Sequence, residues 1–168
     1  MTLKRATAGT PAEARALVYR CLARREHSRL ELQNKLAQAG VAADIGAAVL
    51  AELIDLGVVD DHRFAESFTR ARVERGYGPE RLRQELRTHG LSDELIAVTL
   101  APYAQEWQRR LERLAERRNM TDGHADIATQ ARHARFLRRR GFNAQAVNKI
   151  VLQGLKRKGR ADDEEVEQ

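Results

Sequence analysis

Three times the chain runs Leu-x-x-x-Gly and then an apolar residue: Leu36 to Gly40 with Val41, Leu86 to Gly90 with Leu91, and Leu137 to Gly141 with Phe142. The glycines stand 50 and 51 residues apart. A fixed period of this size marks a repeated supersecondary unit and constrains the fold more than any single motif. Glycine suits the left-handed residue that closes a helix, because it has no Cβ to clash there. The apolar residue after it can fold back onto the last turn. The chain therefore reads as three copies of one helical unit.

The pattern between the glycines predicts an all-α fold: three tandem three-helix repeats of about 50 residues, stacked into an elongated, curved rod. Residues 1–11 form a flexible leader. Residues 12–59, 60–104 and 105–154 form the three repeats, and 155–168 a basic-then-acidic tail expected to be disordered. In the first copy Thr10 caps a helix with Pro11 at its first position. Ala14, Leu17, Val18, Cys21 and Leu22 make its apolar stripe. Ser28 caps the second helix, carrying Leu32 and Leu36, with Glu31 completing a capping box. Asp44 is expected to start the third, with Ile45, Val49, Leu50, Leu53 and Ile54 inward and a close near Gly57.

The second copy opens at Asp60-Asp61, one of which should cap the helix bearing Phe64, Ala65, Phe68 and Ala71. Pro79 opens a helix with Leu82 and Leu86. Ser92 or Asp93 caps the next, with Leu95, Ile96 and Leu100 buried. In the third copy Trp107, Leu111 and Leu114 form the first stripe. A longer polar connection, 119–126, precedes a helix with Ile127, Phe136 and Leu137. Asn143 then caps a third with Val147, Ile150 and Val151. Nine helices and no strand are expected.

Charge is uneven. Residues 1–61 carry eight Lys/Arg and eight Asp/Glu, and residues 62–104 seven and six. Residues 105–160 carry fifteen and five, and the last eight residues add five acids and no base. So basic a third copy suits a polyanion or an acidic protein surface, although Arg also simply favours exposed helix faces. The acidic tail could screen that copy or merely solubilise the chain. One Cys excludes an intrachain disulfide framework and suits a reducing cytosol. With no apolar run of the ~20 residues a bilayer span needs and no signal-like N-terminus, a cytoplasmic protein is expected.

Chemistry-bearing motifs are absent. There is no phosphate-binding glycine loop, and Gly76-Tyr77-Gly78 between helices reads as a bend. The five His lack metal-helix spacing, and a single Cys cannot supply a structural zinc site. Cys21 on the stripe reads as a small hydrophobe, and Asp60-Asp61 as a cap rather than a metal site. No nucleophile, base and orienting group assemble. The expectation is no enzyme, no metal and no cofactor.

Specific residues then resemble the RecX family of recombinase regulators. In the first copy these are Ala16-Leu17, Leu22, Arg25, Ser28, Glu31-Leu32 and Lys35-Leu36. In the second they are Asp60-Asp61-x-Arg63-Phe64-Ala65, then Phe68, Arg72, Gly76-x-Gly78-Pro79, Arg83, Glu85-Leu86 and Gly90. The resemblance covers roughly residues 12–104. It implies a non-enzymatic modulator of RecA that binds the filament on DNA and inhibits its ATP hydrolysis and strand exchange, with several weak contacts adding through avidity. DNA, single- or double-stranded, is a further partner through the basic third copy, and the chain is expected to be a monomer.

The partner-binding candidates are Arg24, Arg25, Lys35, Arg72, Arg75, Tyr77, Arg83, Arg87, Arg138, Arg139, Arg140 and Lys149. Arg24 and Arg25 could equally serve the helix dipole. Arg72/Arg75 and Arg83/Arg87 are helical neighbours around the bend, where Tyr77 is expected to be exposed. Arg63 is expected to tether an acidic neighbour. A direct DNA-binding protein and a structural scaffold are the alternatives.

Overall fold

The computed structural model describes residues 9–120 and 126–151 of the 168-residue chain. Among them all regular structure is helical. The order is α1 (Pro11–Leu22), α2 (Arg29–Gln38), α3 (Ala43–Asp55), α4 (Asp61–Glu74), α5 (Pro79–Thr88) and α6 (Asp93–Leu100), then a 3₁₀ turn (Ala101–Glu106), α7 (Trp107–Glu116) and α8 (Ile127–Arg139). A further helical stretch, α9, covers 144–151. Most of the leader, most of the 119–126 connection and the tail lie outside the described residues.

Each repeated glycine closes its helix as the sequence predicts. Gly40, Gly90 and Gly141 have φ of 80°, 81° and 89°. In each case the glycine N–H donates three residues back, and the next N–H donates to the Leu carbonyl: Val41 to Leu36 at 3.1 Å, Leu91 to Leu86 at 3.3 Å, Phe142 to Leu137 at 3.3 Å. This double bond pattern satisfies carbonyls that a helix end would otherwise leave open. The same closure ends α4 at Gly76 and α7 at Asn119, whose φ is 51°. Helix α1 lacks it: its cap, Ala23, stays right-handed, and Arg24 and Arg25 leave the helix directly.

The starts are equally local. Thr10 with Glu13 and Ser28 with Glu31 form complete capping boxes. Ser92 and Asn143 accept from Leu95 and Ala146, so Ser92 rather than Asp93 caps α6. Asp60 caps α4 by accepting from His62 at 2.7 Å, while Asp61 accepts the Arg29 N–H at 2.8 Å and so serves α2. The two acids cap two different helices. Asp44 does not cap α3. That helix starts after Ala42 with no side-chain cap, two residues earlier than expected.

Contacts gather the chain into two compact units: the chain up to Arg70 with Leu86–Thr99, and Ala71–Glu85 with the chain from Leu100 onward. The first has a core of Ala14, Val18, Leu32, Leu36, Val49, Leu50, Leu53 and Val59, with Leu17, Cys21 and Leu22 half-buried against it. The second has Leu111, Ala115, Met120, Leu137, Phe142, Val147 and Ile150, with Trp107, Leu114 and Phe136 at its margin. Filling such a core is worth about 1.5–3 kcal/mol per large apolar side chain. Three expected inward residues differ. Ile54 and Ala71 are exposed, and Val73 is buried where Ala71 was expected; Ile127, in the first turn of α8, is 85% exposed. Periodicity alone places a residue on a stripe, but only a neighbour covers it.

Candidate partner-binding surface

In the first unit, the end of α1, the loop after it and the last turn of α2 set four cations around a concavity. Its lining is Leu17, Arg20, Cys21, Arg24, Arg25, His27 and Lys35. Arg25 is fixed: its two terminal nitrogens each reach Glu31 at 2.9 Å, and one also donates to the Glu26 carbonyl. Burial pushes the Glu31 carboxyl up, but Arg25's hydrogen bonds and charge, the Ser28 N–H and nearby His89 outweigh it, and its pKa falls below the ordinary value. His27 is 5% exposed and donates from Nδ1 to the Arg25 carbonyl at 3.0 Å. Burial pulls its pKa down, with Arg25 and Lys35 adding to the effect and the Arg25 carbonyl and Glu31 opposing it. Arg24 is exposed and Lys35 half-buried, and neither side chain is paired among the described residues.

Other predicted residues of this unit are structural or exposed. Arg63 does tether acids, lying 3.2 Å from Glu26 and 3.8 Å from Asp60, and it also donates to the Gly57 and Val58 carbonyls. Phe64, Phe68 and His89 form a three-ring cluster, with His89 edge-on to both Phe rings at 5.1 and 4.9 Å, and its Nδ1 lies 3.6 Å from Glu31. Arg87 pairs with Asp93 at 2.7 Å, both largely exposed, an arrangement that contributes little to stability.

In the second unit Tyr77 is half-buried, not exposed as expected. Three guanidinium groups surround its ring: Arg81 at 4.5 Å, Arg140 at 4.8 Å and Arg72 at 5.5 Å from the centroid. Glu85 balances two of them, 2.7 Å from Arg72 and 2.8 Å from Arg81. Arg140 also donates to the Arg75 carbonyl at 2.6 Å and stacks on Phe136. Tyr77, Arg72 and Arg140 therefore hold the bend together. Arg75, Arg83, Arg139 and Lys149 are exposed, and Arg138 reaches Asn148 at 3.1 Å. Arg81 was not among the sequence candidates, although its (i, i+4) spacing to Glu85 is a legible pairing signal. Arg20 and His27 were missed too, because what joins them is the loop after α1.

Among the described residues no three His, Cys, Asp or Glu side chains converge on a metal position. No helix there is long and apolar enough to cross a membrane. Fold and surface together define an all-helical protein of three-helix units with clustered cations.

Comparison with known proteins fixes the family. Residues 14–53 match the first three-helix domain of RecX and residues 60–100 the second. The chain is 41% identical over 130 residues to a protein of Stenotrophomonas maltophilia (strain R551-3) named Regulatory protein RecX, covering 77% of this chain and 80% of that one. It is 44% identical over 141 residues to a protein of the same name from Halorhodospira halophila, covering 83% and 88%. The crystal structure of RecX from Lactobacillus salivarius superposes with a TM-score of 0.71 at 22% identity, over 87% of this chain and 96% of that one. This chain belongs to the RecX family, whose members are named regulatory proteins.

Proposed function

We propose that this protein is a non-enzymatic, cytoplasmic regulator that binds the RecA recombinase filament on DNA and inhibits its ATPase and strand-exchange activities, in recombination and SOS DNA repair. Family membership across both three-helix domains carries this reading. Cations distributed over successive three-helix repeats supply several weak contacts, which add when the target is itself a repeating filament. The exposed set Arg75, Arg83 and Arg139 and the weakly held Arg87 are the contact residues favoured by their accessibility. Tyr77, Arg72 and Arg140 act by shaping the surface between them.

The test is RecA ATP hydrolysis on single-stranded DNA, titrated with this protein and with an Arg83→Ala, Arg87→Ala variant. Inhibition that weakens in the variant supports both function and contact. Inhibition by both keeps the function and moves the contact. An unchanged rate well above stoichiometric protein overturns the proposal.

A second reading, direct DNA binding as a monomer, is favoured by Arg138, Arg139 and Lys149 on the most basic copy. It requires affinity that falls steeply with salt, as released counterions dictate. Salt-insensitive or undetectable binding without RecA removes it.

A further inference from the structure

The concavity beside α1 is not explained by a general excess of arginine. It measures about 500 Å³ and has an apolar floor of Leu17 and Cys21 under a rim of Arg20, Arg24, Arg25 and Lys35. Residues 1–61 have as many acids as bases, so this rim is a local concentration of charge in an otherwise balanced segment. The positions 50 residues further on, Arg70, Glu74, Arg75 and Glu85, put acids at two of the four sites. The cationic rim is thus not repeated in the second copy.

Its local cause is the way α1 ends. Helix α4 is closed by Gly76, but α1 has no such residue, and the chain leaves through Arg24 and Arg25. Glu31 then locks the Arg25 guanidinium, and His27 locks the Arg25 carbonyl. Arg25 is thus occupied and holds the loop in shape, while the side chains of Arg20, Arg24 and Lys35 have no partner among the described residues.

We propose that this concavity is a docking site for an acidic peptide segment of a protein partner, with one apolar side chain seated on Leu17 and Cys21 and flanking carboxylates on Arg20, Arg24 and Lys35. The apolar floor favours peptide over nucleic acid, whose backbone offers phosphates and sugars but no aliphatic anchor. This site stands whether or not the partner is RecA.

The test uses the full chain and a fluorescein-labelled peptide of alternating Glu and Asp with one central Leu, read by fluorescence anisotropy. Saturable binding is expected, weakened roughly tenfold by Arg24→Glu or Lys35→Glu. Arg29→Glu changes net charge equally from an exposed position outside the lining, and should alter affinity less than about twofold. Replacing the peptide's Leu by Ser should weaken binding roughly tenfold. Cys21, the chain's one cysteine, gives a readout that needs no variant: bound peptide should slow its modification by a maleimide. Absent saturation, equal weakening by Arg29→Glu, or unprotected Cys21 overturns the proposal. So does an oligodeoxythymidylate of matched charge that displaces the peptide and protects Cys21 as well, an outcome that assigns the concavity to nucleic acid.

Discussion

Gly78 and Gly141 meet backbone to backbone. The Gly78 N–H donates to the Arg140 carbonyl at 2.7 Å, and the Gly141 carbonyl accepts from Glu80 at 3.0 Å. A Cβ on Gly78 would lie 2.5 Å from the Gly141 oxygen, and one on Gly141 would collide with Arg81. The start of α5 and the end of α8 approach as closely as main chains can. A looser version joins α2 to the end of α5, where a Cβ on Gly90 would lie 3.0 Å from Leu30. The glycine that closes one copy's second helix thus also seats the start of the preceding copy's second helix.

Gly78→Ala and Gly141→Ala should each lower stability by about 1–3 kcal/mol or more, because backbone has to move to admit the methyl group. Gly57→Ala, with left-handed φ but nothing within 4 Å, should cost about 1–2 kcal/mol from backbone strain alone. Urea midpoints of the three variants check the order. A Gly78→Ala chain as stable as the parent would contradict the close approach.

Ser28→Ala should cost about 1 kcal/mol through loss of the α2 cap. Ser28→Gly removes still more volume but suits an N-cap, and should cost only a few tenths of a kcal/mol. Chemical denaturation of the pair distinguishes capping from simple loss of volume at this fully buried position.

Stability should fall as pH drops through the ordinary imidazole range. The pKa of His27 is depressed by burial, so the unfolded chain takes up a proton before the folded chain does, and folding is fully favoured only above the unfolded value. The charged groups facing it are Arg25, Lys35 and Glu31. His133, also depressed by burial, contributes in the same direction. His27→Asn keeps a donor near the Arg25 carbonyl but does not titrate. Its urea midpoint should shift less between about pH 7.5 and 5.5 than the parent's.

Tyr77→Leu should destabilise by about 1 kcal/mol, since it keeps apolar volume but removes the ring face that three guanidinium groups share. Tyr77→Phe should be nearly neutral. If Phe costs as much as Leu, the hydroxyl and not the ring is the group that matters.

Helix ends were the most legible part of this protein. Thr10, Ser28, Asn143 and the Leu-x-x-x-Gly closures depend on partners within six residues, so the linear order of the chain contains their whole explanation. The candidate surface was less legible. Sequence placed Arg72, Tyr77 and Arg140 among the contact residues, but folding brings them together with Arg81 and Glu85 and uses them to hold the bend. The rim around Leu17 and Cys21 was half visible, in Arg24, Arg25 and Lys35.

What the sequence determined by itself is the repeat period, the helices with nearly all their caps, and the family. These follow from hydrogen bonds and steric limits that act between near neighbours. Only the tertiary structure decided which stripe residues are covered, as with Val73 instead of Ala71, and which cations are occupied. It alone brought Gly78 against Gly141, 63 residues apart in the chain. The reason is physical: the state of a charged side chain or a bare backbone depends on what stands within a few ångströms of it, and no local pattern specifies a neighbour from a distant copy.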